Sequence, residues 1–316
     1  MTAPPVRLTI GTRGSALALR QTEIVREELS RHHPWLRVDV LRITTRGDIL
    51  IDQPLASLGE RGLFVSEIEE SLRHGRIDLA VHSAKDLPSR LPDDMRIGAW
   101  LARADAADAL VTMAGRDVWA LPSGSRVGTS SPRRSCQLRA LRSDLRLLDV
   151  RGNVDTRMRK LESGEYDALV LAVAGLDRLG LVDGRVWRFP PDVMIPAPGQ
   201  GALAIEVTAS GTDVAELLAP LDDAVTAAAV VAERAFLAAV AGGCSTASAA
   251  FAQVTQDGLV LRAMIGAGDG RLVKGERVGS SDAGVTLARA LAEELLQRGG
   301  AELLRHADLE EVNHGE

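Results

Sequence analysis

Aromatic residues are scarce in this chain: one tyrosine, four phenylalanines and four tryptophans in 316 residues. Basic residues without aromatic interleaving weaken a single-stranded nucleic-acid reading. The cores must instead be built from Leu, Val, Ile and Ala. Cysteine is nearly absent, and neither Cys136 nor Cys244 has a zinc or CxxC spacing. The six histidines form no HxxxH or HExxH pair, so no metal site is expected. No GxxxxGK[ST] or GxGxxG pattern stands between a strand and a helix, which weakens a nucleotide reading. The uncharged stretch 235–256 is broken by Gly242, Gly243, Ser245, Thr246 and Ser248 and reads as no membrane span. The opening MTAPPVRLTI lacks an apolar h-region, so with two thiols and no export signal the expected compartment is a reducing cytoplasm. A net charge of −6 argues against nucleic acid or an anionic membrane as partner.

Lysine is rare too, at Lys85, Lys160 and Lys274 only. The first of these stands in LAVHSAKDLP, residues 79–88, around which the chain is best organised. Leu79, Ala80 and Val81 predict a short buried strand of a parallel sheet, and ligands of open α/β sheets lie beyond the carboxyl ends of such strands. Lys85 and Asp86 project there, although Asp86 and Pro88 alone also suit an ordinary turn.

Length predicts two or three domains. A strand at 8–11 leads through Gly11-Thr12-Arg13-Gly14-Ser15 into a helix, with Ser15 as N-cap and an anion site beside Arg13. A second strand follows at 38–43, and the aperiodic stretch from Thr44 to Gly62 reads as a lid before a helix through Phe64, Ile68 and Leu72. Two segments then echo earlier ones. Val127-Gly128-Thr129 repeats Ile10-Gly11-Thr12, and 161–170 repeats 72–81 as helix, glycine stop, Asp and buried strand. Two similar α/β lobes are expected, with chain crossings near 101–109 and 190–198 and the strand 203–207 returning to the first lobe. From Asp222 onward a helix, strands near 249–254, 259–265 and 273–278, and a helix near 283–298 predict a small α+β domain.

Between Arg126 and Lys160 ten cations face three aspartates, an excess that fits a local polyanionic ligand; arginine forks match carboxylates bidentately. At this point the residues resemble a known family, porphobilinogen deaminase. The matching blocks are GTRGSALA (11–18), TTRGD (44–48), RGLF (61–64), DLAVHSAKDLP (78–88), VGTSSPRR (127–134), RGNVDTR (151–157), LAVAGLDRLGL (171–181), PAPGQGAL (196–203), AERAF (232–236) and GGCS (242–245).

The resemblance implies two periplasmic-binding-protein-like lobes joined by a double crossover, plus a smaller C-terminal α+β domain with a three-stranded sheet. The expected division is 1–103 with 199–219, then 104–198, then 220–316. It implies head-to-tail condensation of four porphobilinogens, release of ammonia and hydrolysis to hydroxymethylbilane. A dipyrromethane cofactor is implied as a thioether on Cys244, with Asp86 catalytic. Cofactor contacts are expected from Lys85, Thr129, Ser131, Arg133, Arg134 and Arg157, and substrate contacts from Arg13, Ser15, Phe64, Arg151, Arg157 and Arg178. The expected partner is the small-molecule substrate alone, on a monomer. After GGC this chain runs Ser245-Thr246-Ala247 where many relatives carry proline. A non-catalytic two-lobed anion-binding protein is the alternative from fold logic.

Overall fold

The computed structural model describes residues 7–45, 65–240 and 246–305, and these build three separate β-sheets. The first part contains β1 (Arg7–Thr12), α1 (Ala16–His32), β2 (Arg37–Arg42), α2 (Ser66–Arg73), β3 (Leu79–Ser83) and β4 (Met95–Trp100). The second contains β5 (Asp108–Val111), β6 (Arg126–Gly128), α3 (Pro132–Leu141), β7 (Arg146–Leu148), α4 (Val154–Glu162), β8 (Ala168–Ala172), α5 (Val173–Arg178) and β9 (Val186–Arg188). The strand β10 (Leu203–Thr208) returns to the first sheet, and α6 (Thr212–Leu218) packs behind it. Then follow α7 (Ala224–Ala239), β11 (Ala247–Thr255), β12 (Gly258–Gly266), β13 (Leu272–Gly279) and α8 (Gly284–Leu295).

The two five-stranded sheets share one plan. The first is ordered β2-β1-β3-β10-β4 and the second β7-β6-β8-β5-β9. In each, the strand next to one edge runs against its neighbours, β10 between β3 and β4, and β5 between β8 and β9. The expectation of a parallel sheet around 79–81 is thereby corrected to a mixed one, because β3 pairs parallel with β1 but antiparallel with the returning β10. The third sheet is antiparallel, and Phe236 of α7 and Leu291 and Leu295 of α8 join its core with Leu261 and Ile265.

The sequence echo has a physical cause. Asp78 accepts from the Thr9 backbone N–H at 2.7 Å while its own N–H donates to the Thr9 carbonyl. Asp167 does the same to Arg126, also at 2.7 Å. The residue before each aspartate then packs on a glycine, Ile77 on Gly11 of β1 and Tyr166 on Gly128 of β6. Gly75 and Gly164, at φ 62° and 77°, end the preceding helices in the left-handed conformation that glycine adopts without steric cost.

One carboxylate joins the three units. Glu233 of α7 is fully buried and accepts from both terminal nitrogens of Arg103 at 2.6 and 3.1 Å. It also accepts from the Gly199 N–H at 2.6 Å and the Ala252 N–H at 2.7 Å. Arg103 and Gly199 lie on the outgoing and returning crossings between the sheets, and Ala252 lies on β11.

A Cβ added at Gly128 would stand 2.6 Å from Leu169 Cδ2 and 2.9 Å from Tyr166 Cδ1. Gly128→Ala is therefore expected to cost about 1–3 kcal/mol of stability through overpacking. Urea unfolding measures it, and wild-type stability would contradict the close-approach reading.

Candidate active site

β3 ends at Ser83 and the chain makes one tight turn, Ala84–Asp86. The turn is held from the returning crossing. Ala84 N–H donates to the Ala202 carbonyl at 3.1 Å, and Gly199 (φ 75°) lies so near that a Cβ there would stand 2.9 Å from Ala84 Cβ. Asp86 is exposed at the end of this turn, and Lys85 lines a cavity between the two lobes.

The first lobe lines that cavity with Leu17, Gln21, Ser83 and Lys85. The second contributes Arg134 of α3, Val154 and Arg157 of α4, Leu171 and Ala172 of β8, and Arg178 of α5. Four cations thus face one space, and among the described residues that line it there is no acidic side chain.

Each arginine donates to a backbone carbonyl: Arg134 Nη1 to Val170 at 2.9 Å, Arg157 Nε to Gly152 at 2.8 Å, and Arg178 Nη2 to Gly201 at 2.7 Å. Burial pulls the Lys85 ammonium down to about 8, against the opposing pull of Asp86. Burial likewise lowers Arg157 to about 10, with Arg134 and Arg151 pushing the same way, and Arg178 to about 10. Cations so placed gain from any anion that enters, since an opposite charge favours their ionised forms.

Arg134 and its neighbour Arg133 are held by Asp108, the first residue of β5 and fully buried. Arg133 Nη1 and Arg134 Nη2 reach it at 2.6 and 2.7 Å, and Gln200 Nε2 donates to it at 3.0 Å. Burial alone would raise the Asp108 carboxyl, but the two guanidiniums outweigh it and hold it well below the usual range. Gln200 also accepts from Lys85 Nζ at 3.5 Å, so one side chain spans from the Asp86 turn to the second lobe.

The expected site residues are thus partly brought together. Lys85, Arg134, Arg157 and Arg178 share the cavity. Arg133 is not on its wall: its fork is taken up by Asp108 and the Ile195 carbonyl at 2.8 Å. Thr129 is buried, and its hydroxyl accepts from the N–H of Ser131, which stands at the N-cap position of α3 without a side-chain capping bond. Arg13 and Arg151 are half-buried, and Ser15 caps α1 by accepting from Ala18 N–H at 3.3 Å. Cys244, Phe64 and the lid beyond Thr45 lie outside the described residues. Sequence reading missed Gln21, which donates to Ser83 Oγ at 2.8 Å, and with it Asp108 and Gln200. Gln21 stands one helical turn from Leu17, the one signal that it shares that face.

Comparison with known proteins covers nearly the whole chain. Residues 8–216 match the family model "Porphobilinogen deaminase, dipyromethane cofactor binding domain", and 227–297 match the C-terminal domain of the same family. A porphobilinogen deaminase of Roseiflexus castenholzii is 58% identical over 94% of this chain and 98% of its own length. Another, from Stenotrophomonas maltophilia, is 48% identical over 93% and 98%. Among solved structures, the substrate-binding domain 2 of Lactococcus lactis GlnP aligns over 68% of this chain and 88% of its own, with a TM-score of 0.42 and 13% identity.

Asp108→Asn leaves two buried guanidiniums on a neutral partner. A loss of about 3–5 kcal/mol is expected, as for any broken buried pair. Denaturant unfolding of the variant checks it, and a loss below about 1 kcal/mol would show that the arginines do not depend on Asp108.

Proposed function

Because the chain belongs to the porphobilinogen deaminase family, and with it polymerises porphobilinogen head to tail on a dipyrromethane cofactor to hydroxymethylbilane, we propose that Asp86 is the carboxylate at which each condensation occurs. The observation that carries this reading is the cavity beside the Asp86 turn, whose described lining holds four cations and no acid. Each pyrrole unit bears an acetate and a propionate, so a chain of them is a polyanion whose carboxylates suit Lys85, Arg134, Arg157 and Arg178.

The donor set also suits the dipyrromethane. We assign its attachment to a thioether at Cys244, and its carboxylates to Lys85, Thr129, Ser131, Arg134 and Arg157. When bound, the group supplies a pyrrole carbon from which the product grows. Arg13, Ser15, Phe64, Arg151, Arg157 and Arg178 then hold the incoming porphobilinogen. Arg133 serves by fixing Asp108, and through it Arg134, rather than from the cavity wall.

Loss of ammonia from the aminomethyl arm of porphobilinogen leaves a delocalised pyrrole cation. A carboxylate fixed beside the ring nitrogens stabilises that charge as it develops, and Asp86 is exposed to do so. The same carboxylate takes up the ring proton displaced when the carbon–carbon bond forms. Lys85 sits next to it and lowers the cost of gathering several carboxylates in one place.

The units proposed are 1–103 with 199–219, 104–198 and 220–316, in keeping with the strands of the three sheets. No helix among the described residues is long and apolar enough to cross a membrane. We place the enzyme in the cytoplasm as a monomer without a nucleic-acid partner.

The intact mass of the purified protein tests the cofactor assignment. It is expected to exceed the sequence mass by two porphobilinogen units less two ammonias, and Cys244→Ser is expected to lose the excess. An excess retained in the variant would move the attachment elsewhere. Lys85 adds a pH signature. Burial lowers its ammonium to about 8 and carboxylates in the cavity raise it again, so kcat/KM is expected to fall as pH rises above about 8. Lys85→Arg should carry the fall to higher pH, and an unchanged profile would remove Lys85 from binding the carboxylates of the cofactor and the growing chain.

A further inference from the structure

Behind the Asp86 turn lies a charge that the chemistry above leaves unused. Arg234 of α7 is half-buried, and its Nη2 donates to the Pro88 carbonyl at 2.6 Å and to the Ser89 carbonyl at 3.4 Å. Among the described residues no carboxylate stands within ion-pair distance of it. The acid whose charge acts on it is Glu206 of β10, fully buried, which pairs with His82 Nε2 at 3.0 Å and leaves its Oε1 without a hydrogen bond.

A guanidinium in such surroundings loses water without gaining a salt bridge, an unfavourable arrangement unless the carbonyls it holds matter. Those carbonyls are two and three residues beyond Asp86. The intervening Leu87 is 3% exposed and belongs to one apolar cluster with Ala84, Trp100 and Val230. Val230 and Arg234 are four residues apart on α7, so one helix face delivers both anchors. On the other flank, Ala84 is fixed to the returning crossing by its bond to the Ala202 carbonyl. Asp86 is thus the exposed residue of a segment pinned at both ends, and the downstream pin comes from the C-terminal unit.

We propose that Arg234 is a positioning residue for the condensation, fixing through the Pro88 and Ser89 carbonyls the backbone from which the Asp86 carboxylate projects. The proposal rests on the reading of Asp86 as the carboxylate that meets substrate. Its consequence is that a residue of the third unit sets the geometry of chemistry performed on the first lobe.

The test uses holoenzyme whose cofactor load has been checked by intact mass. Arg234→Gln and Arg234→Lys are made alone and in an Asp86→Glu background, with Asp86→Asn alongside. Steady-state kcat and KM, single-turnover ammonia release and thermal unfolding are measured on each. Arg234→Gln is expected to lower kcat and the single-turnover rate about 10- to 100-fold, the scale of a carboxylate misplaced by about 1 Å, with KM within about twofold. Arg234→Lys, which keeps one donor for the Pro88 carbonyl, should recover much of the rate.

In the Asp86→Glu background the carboxylate is already displaced, so the same Arg234→Gln change should cost less than about threefold. An equal loss in both backgrounds, a loss confined to KM or to the unfolding temperature, or wild-type kcat in Arg234→Gln would each overturn the proposal while leaving Asp86 in place. Wild-type turnover in Asp86→Asn would instead remove the reading of Asp86 and the proposal with it. If Arg234→Gln does not fold, the kcat and KM of Arg234→Lys decide, unchanged kcat counting against the proposal.

Discussion

The Glu233 carboxylate is the point on which the arrangement of the three units depends. Stripping water from a carboxylate costs several kcal/mol, and only donors of good geometry offset it. Here four N–H groups do so, two from Arg103 and one each from Gly199 and Ala252. Because those donors sit on both crossings and on the third sheet, satisfying one charge sets the mutual placement of all three. The crossing so held then performs local work. Gly199 lies against the Asp86 turn, Gln200 reaches both Lys85 and Asp108, and Gly201 receives Arg178. The cation cavity is assembled around this turn of four residues, 199–202, rather than by either lobe alone.

The cavity itself balances a similar account of charge. Two arginines on one aspartate leave a net positive charge inside the protein, and burial depresses Lys85, Arg157 and Arg178 as well. Backbone carbonyls carry part of the load without adding negative charge. An entering polyanion therefore meets cations already oriented by their own supports, which reduces the ordering cost of binding.

Much of this was legible in local sequence because its causes are local. Ser15 caps a helix whose first N–H groups lie three residues on, and Gly75 and Gly164 stop helices by backbone conformation. The repeat was visible because each aspartate performs the same backbone contact in both lobes. What escaped were partnerships at long range. Asp108 begins the apolar run DALV and reads as a mere strand start, although its partners stand 25, 26 and 92 residues away. Arg133 and Arg134 are adjacent and alike in sequence, yet only Arg134 is on the cavity wall. The antiparallel placement of β10 depends on a return after the whole second lobe, which no periodicity records.

That return bears on the order in which a growing polypeptide acquires its structure. All strands of the second sheet are present once Arg188 has been added, whereas the first sheet lacks the strand joining β3 to β4 until Thr208. Domains fold as units as they leave the ribosome. In this molecule β3 and β4 of the lobe encoded first lack the strand between them when every strand of the second lobe has already been made. Residues 203–208 then complete the older half.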